Sequence, residues 1–266
     1  MDVSPLETGH GPSRSQFRMR APRSDMLWRA TLRYWMGLFQ SSGRSSKGLV
    51  CLAHSSANRI LLILWTMKGR CWSFPPIFCG VVVGAVETNC GWHWTAHVDA
   101  APHTVTTLRN IVNIMAAKED LLYKALQVKV ERENYCQKAD TRFLDEMNQK
   151  RPSTMEELER LWYNGPTGRY YHYDHTRYHG LNLHSVFSKG TIEFRLFNST
   201  LHAGEVKSYI QLCLAISHQA LEQKRASHAR THSDNEKYTF RTWLLRLGLI
   251  GDEFKTARGH LLKNLE

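Results

Sequence analysis

GTIEFRLFNSTLHAGEVKSYIQLCLAISHQALEQK, residues 190–224, decides how the rest of the chain is read. In its first part, apolar Ile192, Phe194 and Leu196 alternate with Thr191, Glu193, Arg195 and Phe197, the two-residue period of a strand with one packed face. Glu193 and Arg195 then aim into the same space. There a carboxylate can hold a divalent cation and a guanidinium can meet a phosphate or carboxylate. A salt-bridged pair on a surface strand is the competing reading. After Gly204, the positions of Val206, Tyr209, Ile210, Cys213, Leu214, Ser217 and Leu221 form a helical stripe expected to pack under the strand, with Cys213 as a small core residue.

Working upstream, Leu181–Phe187 reads as a second strand, and Ser188-Lys189-Gly190 is short enough to close a hairpin. A two-residue turn would set His184 opposite Arg195 and Asn182 opposite Phe197; a three-residue turn would send His184 to the other face. Before it, Arg169–His179 is dense in aromatic, cationic and imidazole groups. Its rings could stack on a nucleotide base while Arg169 or Arg177 meets phosphates, and a tyrosine-rich surface loop is the plainer alternative.

Further upstream, in CGWHWTAHVDA (residues 90–100), His97 and Asp99 share a face if the second half is a strand, and His93 lies one short bend before them. The three could supply nitrogen and oxygen ligands to a metal; a structural cluster among tryptophans is the bland alternative. The six cysteines form no zinc-finger pair, and their scatter fits a reducing cytoplasm better than a disulfide scaffold.

Between these motifs, Val105 to Ala125 repeats apolar residues at three and four, predicting an amphipathic helix from Thr104 to about Leu126 on which Glu119 reads as a solvated acid. Thr154 and Glu157 make a capping box for a short helix that stops near Asn164-Gly165-Pro166. Arg225–Glu236 reads as a polar, mobile linker. Thr239 is expected to open a helix that Gly248 stops, with a last helix over Asp252–Leu265.

The net charge of +11 would suit nucleic acid, but most of the surplus lies in the first ninety residues, where eleven Lys or Arg face only Asp2, Glu7, Asp25 and Glu87. Those cations follow no recognisable module, so nucleic acid is not the expected partner. Apolar runs at 60–65 and 77–86 are too short to span a bilayer, and the opening residues do not resemble a secretory signal. The expected address is cytoplasmic, with no membrane partner.

From Cys90 onward the chain resembles the amidoligase family, carboxylate-amine ligases related in fold to glutamine synthetase and glutamate-cysteine ligase. Cys90, Gly91, His93, His97 and Asp99 match its Cys-Gly-x-His-x-His segment and following Asp. Glu119 matches a helix acid, Tyr135 and Cys136 an Arg/Tyr-Cys segment, and Glu193, Arg195, Asn198, His202 and Gly204 the strand-to-helix segment. The resemblance implies an α+β fold, a glutamine synthetase-like body with an antiparallel sheet and packed helices. It also implies ATP-dependent amide formation through an acyl-phosphate, with Mg2+ or Mn2+ and small-molecule or peptide carboxylate and amine substrates. On that basis Glu193, Arg195 and His184 would be catalytic; Arg195, Arg177 and Asn198 would contact the nucleotide; Glu193, His93, His97 and Asp99 would hold metal. Two departures stand out. Three residues separate His93 from His97 where the family has one, and the family's opening Gly-x-Glu-x-Glu strand is not found, which leaves the body incomplete at its N-terminus. Residues 1–89 thus read as an atypical basic region, poorly ordered or aberrant, and 90–266 as the amidoligase-like domain. An inactive relative acting as a binding protein is the alternative, and the oligomeric state is open.

Overall fold

The computed structural model describes residues 81–88, 91–200 and 202–266. Residues 1–80, with the cations of the basic region, the apolar run at 60–65, Cys51, Cys71 and Cys79, lie outside the described residues, as does Cys90; the second half of the run at 77–86 is described, and it forms a strand. What is described is a mixed α+β arrangement: helices packed on a four-stranded antiparallel sheet of order β1-β2-β4-β3.

The strands are β1 (Val81–Thr88), β2 (Gly91–Asp99), β3 (Leu181–Asn182) and β4 (Thr191–Asn198). β1 pairs with β2 along its whole length, from Thr88↔Gly91 to Val81↔Val98. β2 in turn pairs with β4, from Asp99↔Thr191 to His93↔Asn198. Two strands adjacent in sequence are thereby joined to one about a hundred residues later, and that long-range pairing builds the sheet face that carries the charged residues.

The register between β2 and β4 shifts between Trp94 and Ala96, whose partners are Phe197 and Phe194. β4 therefore carries one extra residue there, a bulge that breaks strict alternation. Ile192 and Phe194 are fully buried as alternation requires. Phe197, which alternation would place beside Glu193 and Arg195, instead stacks on Tyr209 with ring centroids 4.4 Å apart. Its ring goes to the helical layer because the bulge has reversed the facing at the end of the strand.

The helical layer is led by α1 (Val105–Leu126), with α2 (Thr141–Lys150) and α3 (Met155–Tyr163) following. The short α4 is His184–Lys189, the long α5 is Ala203–Glu222, and α6 (Glu236–Arg246) and α7 (Lys255–Leu262) end the chain. Thr104 and Thr107 cap α1 reciprocally, and Thr154 and Glu157 cap α3 as predicted. Asn164 ends α3 in the left-handed region, where asparagine is tolerated. Leu108, Ile111 and Leu122 of α1 and Ile210, Leu212 and Cys213 of α5 are buried, each large side chain contributing roughly 1.5–3 kcal/mol by leaving water.

Three expectations are corrected. Residues 184–189 are helix, not strand: Asn182 Oδ1 accepts the His184 N–H at 2.8 Å, and Gly190 closes the helix at φ 71°. A left-handed cap of this kind costs glycine nothing, so the turn expected of Gly190 is made by a helix end instead of a hairpin. α6 begins at Glu236, because the Asn235 side chain caps it ahead of Thr239. The segment from Arg225 is pinned to α1, with the Ala226 N–H on Asn110 Oδ1 and the Thr231 N–H on the Ala117 carbonyl.

Candidate active site

β4 delivers Glu193 and Arg195 to one face, and both are buried, at 5% and 4% exposure. Two buried charges are tolerated only when each is paired and hydrogen-bonded. Arg195 Nη1 donates to Glu193 Oε1 at 3.0 Å, and its Nε donates to the Tyr135 carbonyl at 3.3 Å. The other carboxylate oxygen, Oε2, accepts from Asn182 Nδ2 at 2.6 Å. Asn182 thus does two jobs: its amide nitrogen holds the carboxylate and its oxygen starts α4. β3 places it there by pairing Asn182 with Glu193, a register that differs from the expected pairing with Phe197.

His97 enters from β2, where it is the cross-strand partner of Glu193. Its Nε2 stands 3.5 Å from Glu193 Oε1, and its Nδ1 lies 3.0 Å from Thr191 Oγ1. Burial by itself would raise the Glu193 carboxyl. His97, the Arg195 charge and the Asn182 amide outweigh it and hold the group well below the usual carboxylate range. Glu193 is therefore ionised, and its negative charge is shared between Arg195 and His97.

The aromatic loop completes this wall. The Arg195 guanidinium lies 5.9 Å from the centre of the Tyr178 ring, and the Arg177 guanidinium lies 5.8 Å from the same ring. Arg177 also donates to the His172 carbonyl, and its Nε–H is buried with no acceptor among the described residues. Burial, then the neighbouring Arg195 charge, push the Arg177 guanidinium down, with Glu193 opposing. Arg169, the other cation proposed for phosphate, is committed elsewhere: it forms a bidentate pair with Glu159, a buried carboxylate. Tyr170, Tyr171 and Tyr173 are exposed.

His184 sits beside the cluster through Asn182 and not across a hairpin from Arg195. Its Nδ1 is 2.7 Å from the Tyr163 hydroxyl, and burial lowers its pKa, keeping the imidazole neutral near pH 7.

Other expected site residues do not join. Asn198 donates to the Leu126 and Gln127 carbonyls and accepts from Arg132, so it ties the end of α1 to β4. Five residues along a strand, it lies roughly 16 Å from Glu193. Asp99 pairs across from Thr191 and uses Oδ1 to accept the Ala101 N–H at 3.0 Å. The His93 side chain lies outside the described residues. Among the described residues no group of three or more His, Cys, Asp or Glu side chains is close enough to hold a metal ion. Both oxygens of Glu193 already accept bonds, and Arg195 on Oε1 opposes a second cation there. The described donors therefore do not fit a divalent ion.

Several contributors carried no local signal. Arg132, in a 3-10 turn at Val130–Tyr135, donates to the Leu196 and Arg195 carbonyls and thereby covers the β4 edge beyond β3. Tyr178 was only one of several aromatic residues in its loop. Glu119, expected in solvent, is 2% exposed. Its Oε1 accepts the Ala139 N–H at 2.7 Å, while Oε2 has no partner among the described residues. It borders a small cavity with Trp162 and His179, and burial pushes its pKa up to about 7 against the Ala139 bond. Cys136 is buried and its thiol is raised by burial, which makes it a poor nucleophile.

The family model described as "putative amidoligase enzyme" matches residues 82–217, a span holding all four strands except Val81, helices α1 to α4 and most of α5. No curated protein and no solved structure matches the chain. No helix among the described residues is long and apolar enough to cross a membrane.

Proposed function

The chain belongs to the amidoligase family, and from that premise we propose that it is an ATP-dependent ligase joining a carboxylic acid to an amine on a glutamine synthetase-like body. In this reaction a substrate carboxylate oxygen attacks the γ-phosphorus of ATP and ADP leaves. The amine nitrogen then attacks the acyl carbon, phosphate departs with the bridging oxygen, and the nitrogen gives up one proton.

The observation that carries this reading is a charge imbalance. Two guanidiniums, Arg177 and Arg195, flank one ring, with Glu193 as the carboxylate of the cluster. A bound anion would complete the set. Arg177, with its unsatisfied Nε–H, is the group proposed to meet the substrate carboxylate or the transferred phosphoryl group. Arg195, braced by Glu193 and Tyr135, would hold positive charge beside it. His184, neutral by burial, is the proposed acceptor of the amine proton. Exposed Tyr170, Tyr171 and Tyr173 offer ring faces for the adenine base. Mg2+ or Mn2+ would arrive as part of the nucleotide substrate, and no step is assigned to a metal held by the chain.

A second reading, a non-catalytic relative that no longer binds the nucleotide, is favoured by one observation: Glu193 is already saturated by Asn182 and Arg195 and has no further acidic partner nearby among the described residues. Calorimetric titration with a non-hydrolysable ATP analogue and Mg2+ separates the two, with Arg177→Ala run alongside and folding checked by circular dichroism. Saturable binding abolished in the variant supports the ligase. Binding that survives Arg177→Ala removes Arg177 from the site, and no binding by folded wild type favours the non-catalytic relative.

A further inference from the structure

Away from the sheet, the first turns of α1, the end of α2 and the segment after α5 meet around a pocket of about 180 Å3. Four cations line it: Arg109 of α1, Arg151 at the C-terminal cap of α2, and Lys224 and Arg225. No carboxylate is among its lining residues, and none of the four cations forms an ion pair among the described residues. Like charges gathered without counter-charge repel. Burial, then the nearby Arg151 and Arg225 charges, lower the Arg109 pKa, and its Nε–H is buried without an acceptor among the described residues.

The gathering is built by an amide network. Asn110 donates to the Ala220 and Gln223 carbonyls at 3.3 and 2.6 Å and accepts the Ala226 N–H at 3.1 Å. Asn113 donates to the Ala226 carbonyl at 3.1 Å and exchanges amide bonds with Asn148 of α2 at 2.8 and 2.9 Å. These bonds fix residues 223–226 against both helices, so Lys224 and Arg225 are carried on a held backbone. A preorganised site of this kind loses little order on binding.

We propose that this pocket binds a small, multiply charged anion of the polyphosphate class, at a site separate from the Glu193 cluster. The volume is below the range of drug-sized pockets, roughly 300–1,000 Å3, which suits a compact anion better than a whole nucleotide. Guanidiniums match phosphate oxygens in pairs, and three of the four cations are arginines.

The test is calorimetric titration of the full chain with sodium triphosphate at physiological salt, on wild type, Arg225→Ala, Arg151→Asn and a distant control, Arg241→Ala. Arg151 and Arg225 are exposed, so removing them deletes charge with little packing, and asparagine tolerates the left-handed angle of Arg151, φ 49°. One-site binding is expected, weakened about tenfold or more in each pocket variant and unchanged in Arg241→Ala. Non-saturable heats, or equal loss in all three variants, would reduce the site to the diffuse field of a basic chain. A single-stranded oligonucleotide that binds where triphosphate does not, with the same variants losing it, would overturn the small-anion assignment in favour of nucleic acid. Because none of these variants touches the Glu193 cluster, the result stands whether or not the ligase reading holds.

Discussion

Replacing Glu193 by glutamine removes the charge at the centre of the cluster while nearly keeping its shape. At pH 7 the variant leaves Arg195, 4% exposed, with no ionised partner. Breaking a buried pair from one side costs about 3–5 kcal/mol, well above the roughly 0–1 kcal/mol of an exposed pair. The pH dependence separates this from a packing defect. The folded carboxyl is held well below the usual range, so its stabilisation is complete above the unfolded pKa near 4.5 and is lost as pH falls toward the folded value. One proton taken up on unfolding gives about 1.4 kcal/mol per pH unit in that window. A protonated carboxyl and a carboxamide are both neutral and nearly the same shape, so wild type and Glu193→Gln should converge as acid is added. Urea unfolding followed by tryptophan fluorescence at pH 7, 5, 4 and 3 measures this. A stability gap that stays constant from pH 7 to 3 would refute the claim that Glu193 acts through its charge.

Glu119 titrates the other way. Its folded pKa of about 7 exceeds the unfolded 4.5, so wild-type stability falls as pH rises between these values, and Glu119→Gln should be the more stable protein at pH 8 by up to about 3 kcal/mol. Melting temperatures of the two at pH 5 and 8 check the sign; an unchanged difference would mean that Glu119 is not buried in the ionised form. Gly180→Ala would put a methyl 2.6 Å from Leu196 Cδ2 and 2.7 Å from the Tyr123 hydroxyl, between β4 and α1. A loss of about 1–3 kcal/mol is expected in urea unfolding, and a neutral result would show that Leu196 and Tyr123 can move aside.

The helices were legible because their signals are local. Thr154 and Glu157 are three residues apart, the stripe on Val105–Leu126 repeats within a few turns, and Gly248, at φ 86°, stands where the chain needs a left-handed angle. The alternation of Thr191–Leu196 likewise placed Glu193 and Arg195 together, and the family residues around them pointed to the same strand. Leu181–Phe187 was not legible. Its alternation and its short helix are both compatible with the sequence, and the choice rests on Asn182, whose Oδ1 accepts the first N–H of α4 while the residue is paired across the sheet with Glu193.

Sequence alone determined the α+β class, the strand that carries the charges, the long helices and the family to which they belong. The strand and the helices depend on residues within about a turn or a strand of one another, and the family on several such short segments between Cys90 and Gly204. Tertiary structure decided which charges meet. His97 faces Glu193 because β2 and β4 pair across nearly a hundred residues, and Phe197 leaves that face because a bulge in this pairing shifts it. Arg177 joins Arg195 at the ring of Tyr178, whereas Arg169, eight positions earlier, is taken by Glu159. Glu119 is buried because Trp162, His179 and Ala139 come from other segments to close over it. The electrostatics of a buried group is set by neighbours distant along the chain, and a local pattern carries no record of them.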